Sequence, residues 1–192
     1  MATTAPTPDI GQRRLRKEDP ELITGQGRFI DDIRLPGMLE AAFVRSPHAH
    51  AAVRGIDKTA ALAIPGVHAV FTLGDLLPHL QTERLVVGLP SASYQQEQNR
   101  PALAGDEVVH VGEPVAIVVA DSRYIAEDAA ALVDVGYDPL PAVSDCRAAL
   151  AAGAPRVHRH APHNLLAEFA MGYGDVDGAF AGAAHVFRES LW

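Results

Sequence analysis

Residues 108–138 read VVHVGEPVAIVVADSRYIAEDAAALVDVGYD, and this stretch decides the fold. Val108 to Val111 reads as a short strand, ended by the turn-forming Gly112-Glu113-Pro114. Val115 to Ala120 is uninterrupted apolar sequence, which implies a strand buried on both faces. Asp121 or Ser122 then offers a side-chain oxygen to the first free amides of a helix. That helix runs from Tyr124 to Val133 and places Ile125, Ala129, Leu132 and Val133 on one face. Val133 to Tyr137 returns as a strand. The resulting β-turn-β-α-β pattern marks an α+β or α/β core.

Working towards the N-terminus, Val67 to Thr72 reads as a strand, followed by a helical turn at Gly74 to Leu77. Thr59 to Ile64 is a short helix stopped by Pro65-Gly66. Met38 to Arg45 and Ala49 to Ile56 are two further strands, and the short Ser46-Pro47 break between them suggests a hairpin-like pair. Asp19-Pro20-Glu21-Leu22-Ile23 has the acidic residues and the proline that suit a first helical turn. Residues 79 to 104 carry no clear period and read as a long irregular connection, a type that is often functional or contact-making.

Towards the C-terminus, Pro139-Leu140-Pro141 closes the core unit. Ser144 to Ala152 reads as a small alanine-rich helix, and Gly153 to His163 as a polar linker. Asn164 to Gly172 is strand-like, Asp175 to Ala181 helical, and Ala184 to Trp192 a strand. A terminal apolar strand leaves an open edge, so self-association through it is expected.

The 192 residues suffice for one packed domain with a second begun, and 48% hydrophobic against 21% charged residues is a globular balance. A net charge of −8 offers no general attraction to nucleic acid. One cysteine, Cys146, excludes a disulfide framework and an iron–sulfur cluster held by this chain alone, and fits a reducing cytoplasm. No run of apolar residues is long enough to span a membrane.

Candidate chemistry is sparse. Gly25-Gln26-Gly27 lacks the third glycine and the preceding strand of a dinucleotide loop, so it reads as a turn. Asp31 and Asp32 are adjacent and point to opposite faces, which suits a hydrogen-bonded turn better than an acid–base pair. His48 and His50 would share a face if their segment were a strand, as two metal ligands do, but no third ligand is near. His158, His160 and His163 are more loosely spaced. Glu113, between Gly112 and Pro114, is placed either to cap backbone amides or to meet a partner. No catalytic, cofactor-binding or metal-ligating residue is assigned; the candidate interface is Gly112, Glu113 and Pro114.

The order of motifs adds what the single motifs lack. Arg16-Lys17-Glu18-Asp19 precedes Leu22-Ile23-Thr24-Gly25-Gln26-Gly27-Arg28-Phe29-Ile30-Asp31-Asp32, then Leu35-Pro36-Gly37-Met38 and Arg45-Ser46-Pro47-His48-Ala49-His50-Ala51. Val111-Gly112-Glu113-Pro114-Val115-Ala116, Ala126-Glu127-Asp128-Ala129-Ala130 and Tyr137-Asp138-Pro139-Leu140-Pro141-Ala142-Val143 complete the series. This series resembles the N-terminal part of the molybdopterin-binding large subunit of the xanthine dehydrogenase, aldehyde oxidase and aerobic carbon monoxide dehydrogenase family.

The resemblance implies an α+β protein with an α/β hammerhead domain over residues 20–145. Composition sets a mobile tail at 1–19 and a linker at 146–163 beside it, and the resemblance implies a truncated start of the molybdopterin-binding domain, its first strands, at 164–192. In the complete enzyme it implies hydroxylation of aldehydes, N-heterocycles or carbon monoxide at molybdopterin-bound molybdenum, with electrons passing to 2Fe-2S clusters and FAD on partner subunits or domains. The family's cofactor-contacting loops and catalytic glutamate lie downstream of the hammerhead, so none is carried onto this chain, which is expected to be inactive alone. Its expected role is a scaffold for the remaining molybdopterin-binding part, with Arg16 to Asp32 and Val111 to Pro114 facing other parts of the complex. The competing expectations are a non-catalytic interaction domain that binds through exposed strands and a small metal enzyme built on His48 and His50.

Overall fold

The computed structural model describes residues 11, 13–86, 88, 90–96 and 99–191. The chain divides into two compact units, Met1–Met38 and Leu39–Trp192.

In the first unit, helix α1 (Asp19–Ile23) has Pro20 in its opening turn with Asp19 and Glu21 beside it. Thr24 Oγ1 donates to the Pro20 carbonyl at 2.7 Å, and Gly25, at φ +71°, carries the chain out of the helix. Gly27 packs so closely that a Cβ there would fall 2.6 Å from Leu22 Cδ2. The Gly25-Gln26-Gly27 segment is therefore turn chemistry, as its sequence suggests. Asp31 and Asp32 lie in a 3-10 helix, Ile30–Asp32, where the Asp32 carboxylate accepts the Phe29 amide at 2.9 Å.

The second unit is built on strands β1 (Glu40–Arg45), β2 (Ala51–Asp57), β3 (Val67–Thr72), β4 (Arg84–Leu85), β5 (Arg100–Pro101), β6 (Glu107–Val108), β7 (Pro114–Ala120) and β8 (Asp134–Pro139). Its helices are α2 (Thr59–Leu62), α3 (Leu73–Leu76), α4 (Arg123–Ala130) and α5 (Val176–Ala181). Two antiparallel three-stranded sheets form, ordered β1-β7-β3 and β6-β2-β8, with β4-β5 as a separate short pair. The apolar run at 115–120 is the centre of the first sheet, and Val115, Ala116, Val118 and Ala120 are fully buried. Helix α4 covers this sheet with Ala126 and Ala129, whose small side chains let helix and sheet approach closely. Ser122 is its N-cap and accepts the Ile125 amide at 3.3 Å.

Several expectations are corrected. Strands β1 and β2 form no hairpin; β1 pairs with β7, and β2 pairs with β6 and β8. Between them Ser46 Oγ accepts the His48 amide at 3.0 Å, and Pro47 has no amide to donate, so the chain bends away into the second sheet. Strands β7 and β8, joined through α4, likewise lie in different sheets. Strand β6 ends at Val108, not Val111, because the Val109 amide is taken by the Glu113 carboxylate at 2.6 Å.

Helix α4 stops at Ala130. The Leu132 and Val133 amides bond three residues back, which tightens the turn and leaves Leu132 45% exposed, so the buried face carries Ala126 instead. The Ser144 to Ala152 helix reduces to a 3-10 helix at Ala148–Leu150, since a few alanines with no buried residue among them cannot offset nucleation.

Asn164 to Gly172 makes one isolated bridge, Tyr94 to Ala167, and no strand. Among the described residues nothing pairs with 184–191, so the expected strand is not formed there, because a strand exists only beside a neighbour. Trp192 and residues 1–10 of the expected tail lie outside the described residues. Helix α5 forms as expected, with the Asp175 side chain accepting the Gly178 amide at 2.9 Å.

Candidate functional site

The turn that leads into β7 gathers most of the polar interior. Gly112 has φ +84°, a backbone conformation that favours glycine, and its amide donates to the Ser46 carbonyl at 2.7 Å. Glu113 is 4% exposed, and its carboxylate accepts from the Arg100 guanidinium and the Val109 amide, with His110 Nδ1 at 3.5 Å. Its own carbonyl accepts the Ser46 amide at 2.9 Å, and the Pro114 carbonyl accepts the Ala104 amide at 2.8 Å. Pro114 opens β7, a position where a missing donor costs no ladder bond. Of the two roles open to Glu113, the geometry realises the capping one: the carboxylate points inward and ties β7 to the 79–104 connection. Val111, 64% exposed, is the part of this turn that solvent or a partner can reach, with Gly112 and Pro114 half-buried.

Beside this turn lies a cavity of about 510 Å³, lined in part by Arg84, Arg100, Glu107, Glu113, His158 and Leu166. Its charges are largely matched: Arg100 lies on Glu113, and Arg159 Nε donates to Glu107 Oε2 at 2.8 Å. His158 is pushed below the usual imidazole range, first by burial and then by the nearby Arg100, so it favours the neutral form. Burial also raises the Tyr137 hydroxyl above its ordinary value.

The histidines do not assemble as ligands. His48 and His50 lie in the bend before β2, not on one strand face. The His48 ring packs on Tyr137 at 4.9 Å, whereas His50 Nδ1 lies 2.8 Å from the Pro141 carbonyl and therefore donates to it. His160 Nε2 is 3.5 Å from Asp106, and His163 Nδ1 lies against Gln96. Among the described residues no group of three or more His, Cys, Asp or Glu could hold a metal ion. A 2Fe-2S cluster takes four ligands, commonly all cysteine, and the chain has the single, exposed Cys146. The described residues therefore do not supply the ligand set of such a cluster.

Sequence reasoning missed the partners rather than the turn. Arg100 and Arg159 sit in segments without periodicity, and only their proximity to Glu113 and to Asp106-Glu107 gives them meaning. An acidic pair directly before an apolar strand was the one available signal.

Two mixed-order antiparallel sheets, with α4 on the first, define an α/β hammerhead. Residues 24–141 match the family described as "Aldehyde oxidase and xanthine dehydrogenase, a/b hammerhead domain", and the chain belongs to it. The chain is 43% identical over 181 residues to the nicotine 6-hydroxylase large subunit of Paenarthrobacter nicotinovorans, an alignment covering 92% of this chain and 21% of that protein. It is 42% identical to the carbon monoxide dehydrogenase large chain of Hydrogenophaga pseudoflava, covering 94% and 23% respectively. Among solved structures, quinoline 2-oxidoreductase from Pseudomonas putida 86 superposes with a TM-score of 0.77 at 40% identity, over 94% of this chain and 22% of that one. The chain thus spans about a fifth of the length of the curated relatives it matches.

Proposed function

We propose that this chain is the hammerhead portion of a molybdenum hydroxylase large subunit. In this reading it is a scaffold for the polypeptide that holds the molybdopterin, and oxidation of an N-heterocycle, an aldehyde or carbon monoxide occurs only in the completed enzyme. The observation that carries the reading is the pairing of near-complete coverage of this chain with about a fifth of each relative. A domain whose own polar interior is spent on internal struts, as Glu113 is, suits a brace better than a reaction centre. The 2Fe-2S and FAD groups then belong to partner subunits or domains, and the complex is cytoplasmic. Among the described residues no helix is long and apolar enough to cross a membrane.

The test is to tag the protein in its own cells, purify it, and measure molybdenum per polypeptide together with dye-linked oxidation of the three substrate classes. Stoichiometric molybdenum with one class oxidised supports the reading. A purified protein without molybdenum overturns it. Molybdenum and turnover in residues 1–192 alone would overturn the scaffold role.

The non-catalytic interaction reading keeps one observation in its favour. Phe169, Met171 and Tyr173 are 73%, 90% and 95% exposed, and they alternate with small residues as a one-sided extended segment does. That surface suits contact with another polypeptide, whether a second copy or a partner.

A further inference from the structure

The segment after the second sheet reads as a linker, yet it is fastened along its length. Asn164 Nδ2 donates to the carbonyls of Ala149 at 2.9 Å and Pro155 at 2.8 Å, and its Oδ1 accepts the Val157 amide at 2.9 Å. Further on, the Gln95 amide donates to the Leu166 carbonyl at 2.9 Å and the Glu168 amide to the Ser93 carbonyl at 3.0 Å. Arg159 stands in the loop between Val157 and Asn164. Its Nε reaches Glu107 Oε2 at 2.8 Å, its amide lies 3.3 Å from the same carboxylate, and its Nη2 reaches the Asp106 carbonyl at 2.9 Å and Asp106 Oδ2 at 3.1 Å.

From this geometry we infer that Arg159 is a clamp, holding residues 154–168 as a strap across β6 and over the cavity beside Glu113. The two acidic arms differ in weight. Asp106 is 72% exposed at its side chain, where an ion pair is screened and contributes little. Glu107 is 9% exposed, and its other close cationic candidate, His50 Nε2, stands at 3.6 Å without a hydrogen bond. The guanidinium of Arg159 is thus the principal neutralising group for a buried carboxylate, and the planar fork that does this has no equivalent in lysine. Glu107 in turn pairs through β6 with Ala52 of β2, so the strap is tied to the second sheet.

Hydrogen exchange on the full chain tests the clamp. In Arg159→Ala the Val157 and Glu168 amides should exchange about tenfold faster or more, while the amides of β7 keep their protection. Glu107→Gln should open the strap more than Asp106→Asn, and Arg159→Lys should restore part of the protection. Unchanged exchange at Val157 and Glu168 in Arg159→Ala overturns the clamp. An effect of Asp106→Asn equal to that of Glu107→Gln also overturns it, as does acceleration of β7 together with the strap, which would assign the contact to global stability.

Discussion

Glu113 shows how one residue type can be read two ways until its neighbours are in place. Its carboxylate satisfies a guanidinium and a backbone amide in the interior. Glu113→Ala should therefore cost about 2–3 kcal/mol, because the Val109 amide loses its acceptor and Arg100 its partner; denaturant unfolding of the variant against the parent measures this. If the turn also braces a partner, the same variant should co-purify less of the remaining large-subunit polypeptide. Asp75 gives a pH-dependent case. Lys58, then the Thr72 amide and hydroxyl, hold its carboxyl at about 2, below the ordinary 3.8. The folded state thus binds the ionised form better, so the contribution is complete above the ordinary value and is lost as pH falls through about 2. With the two side chains 33% and 38% exposed, it is worth about 1 kcal/mol or less. Asp75→Asn should lower the unfolding midpoint at neutral pH, and the difference should shrink near pH 2.

At the level of elements, β7 and α4 are where local sequence and final structure agree most closely. The apolar run specifies a buried strand whatever its neighbours are, and Ser122 specifies where the helix begins. Ser122→Ala should cost about 1 kcal/mol by loss of the cap. Val118→Ala, at a position with no exposure, should cost about 2–3 kcal/mol through lost burial and the cavity left behind. A thermal melt that ranks the two variants the other way would contradict the placement of the core. The hairpin expected from 38 to 56 is the informative failure. Both of its strands exist, but their pairing depends on which hydrogen-bonding edge each one meets. Strand β1 meets the more apolar β7, and the Ser46–Pro47 bend sends β2 elsewhere.

For the whole molecule, the stretch from Phe169 onward is an exposed surface open to other polypeptides. Replacing Phe169, Met171 and Tyr173 with serine should reduce concentration-dependent association in light scattering, if that surface carries it. By itself the sequence determined the family and the approximate position of the helices and of most strands up to β8, while the short pair β4 and β5 lies in the 79–104 stretch that it reads as irregular. These are properties of local composition and of motif order along one line. Only the tertiary structure decided that neighbouring strands part into two sheets, that Glu113 faces inward, and that the segment through Arg159 is strapped down. Each of these depends on a contact between residues far apart in the chain, such as Arg159 with Glu107, fifty-two positions away. No period or propensity encodes a distance of that kind; it exists only once the backbone has brought the two charges together and excluded water from one of them.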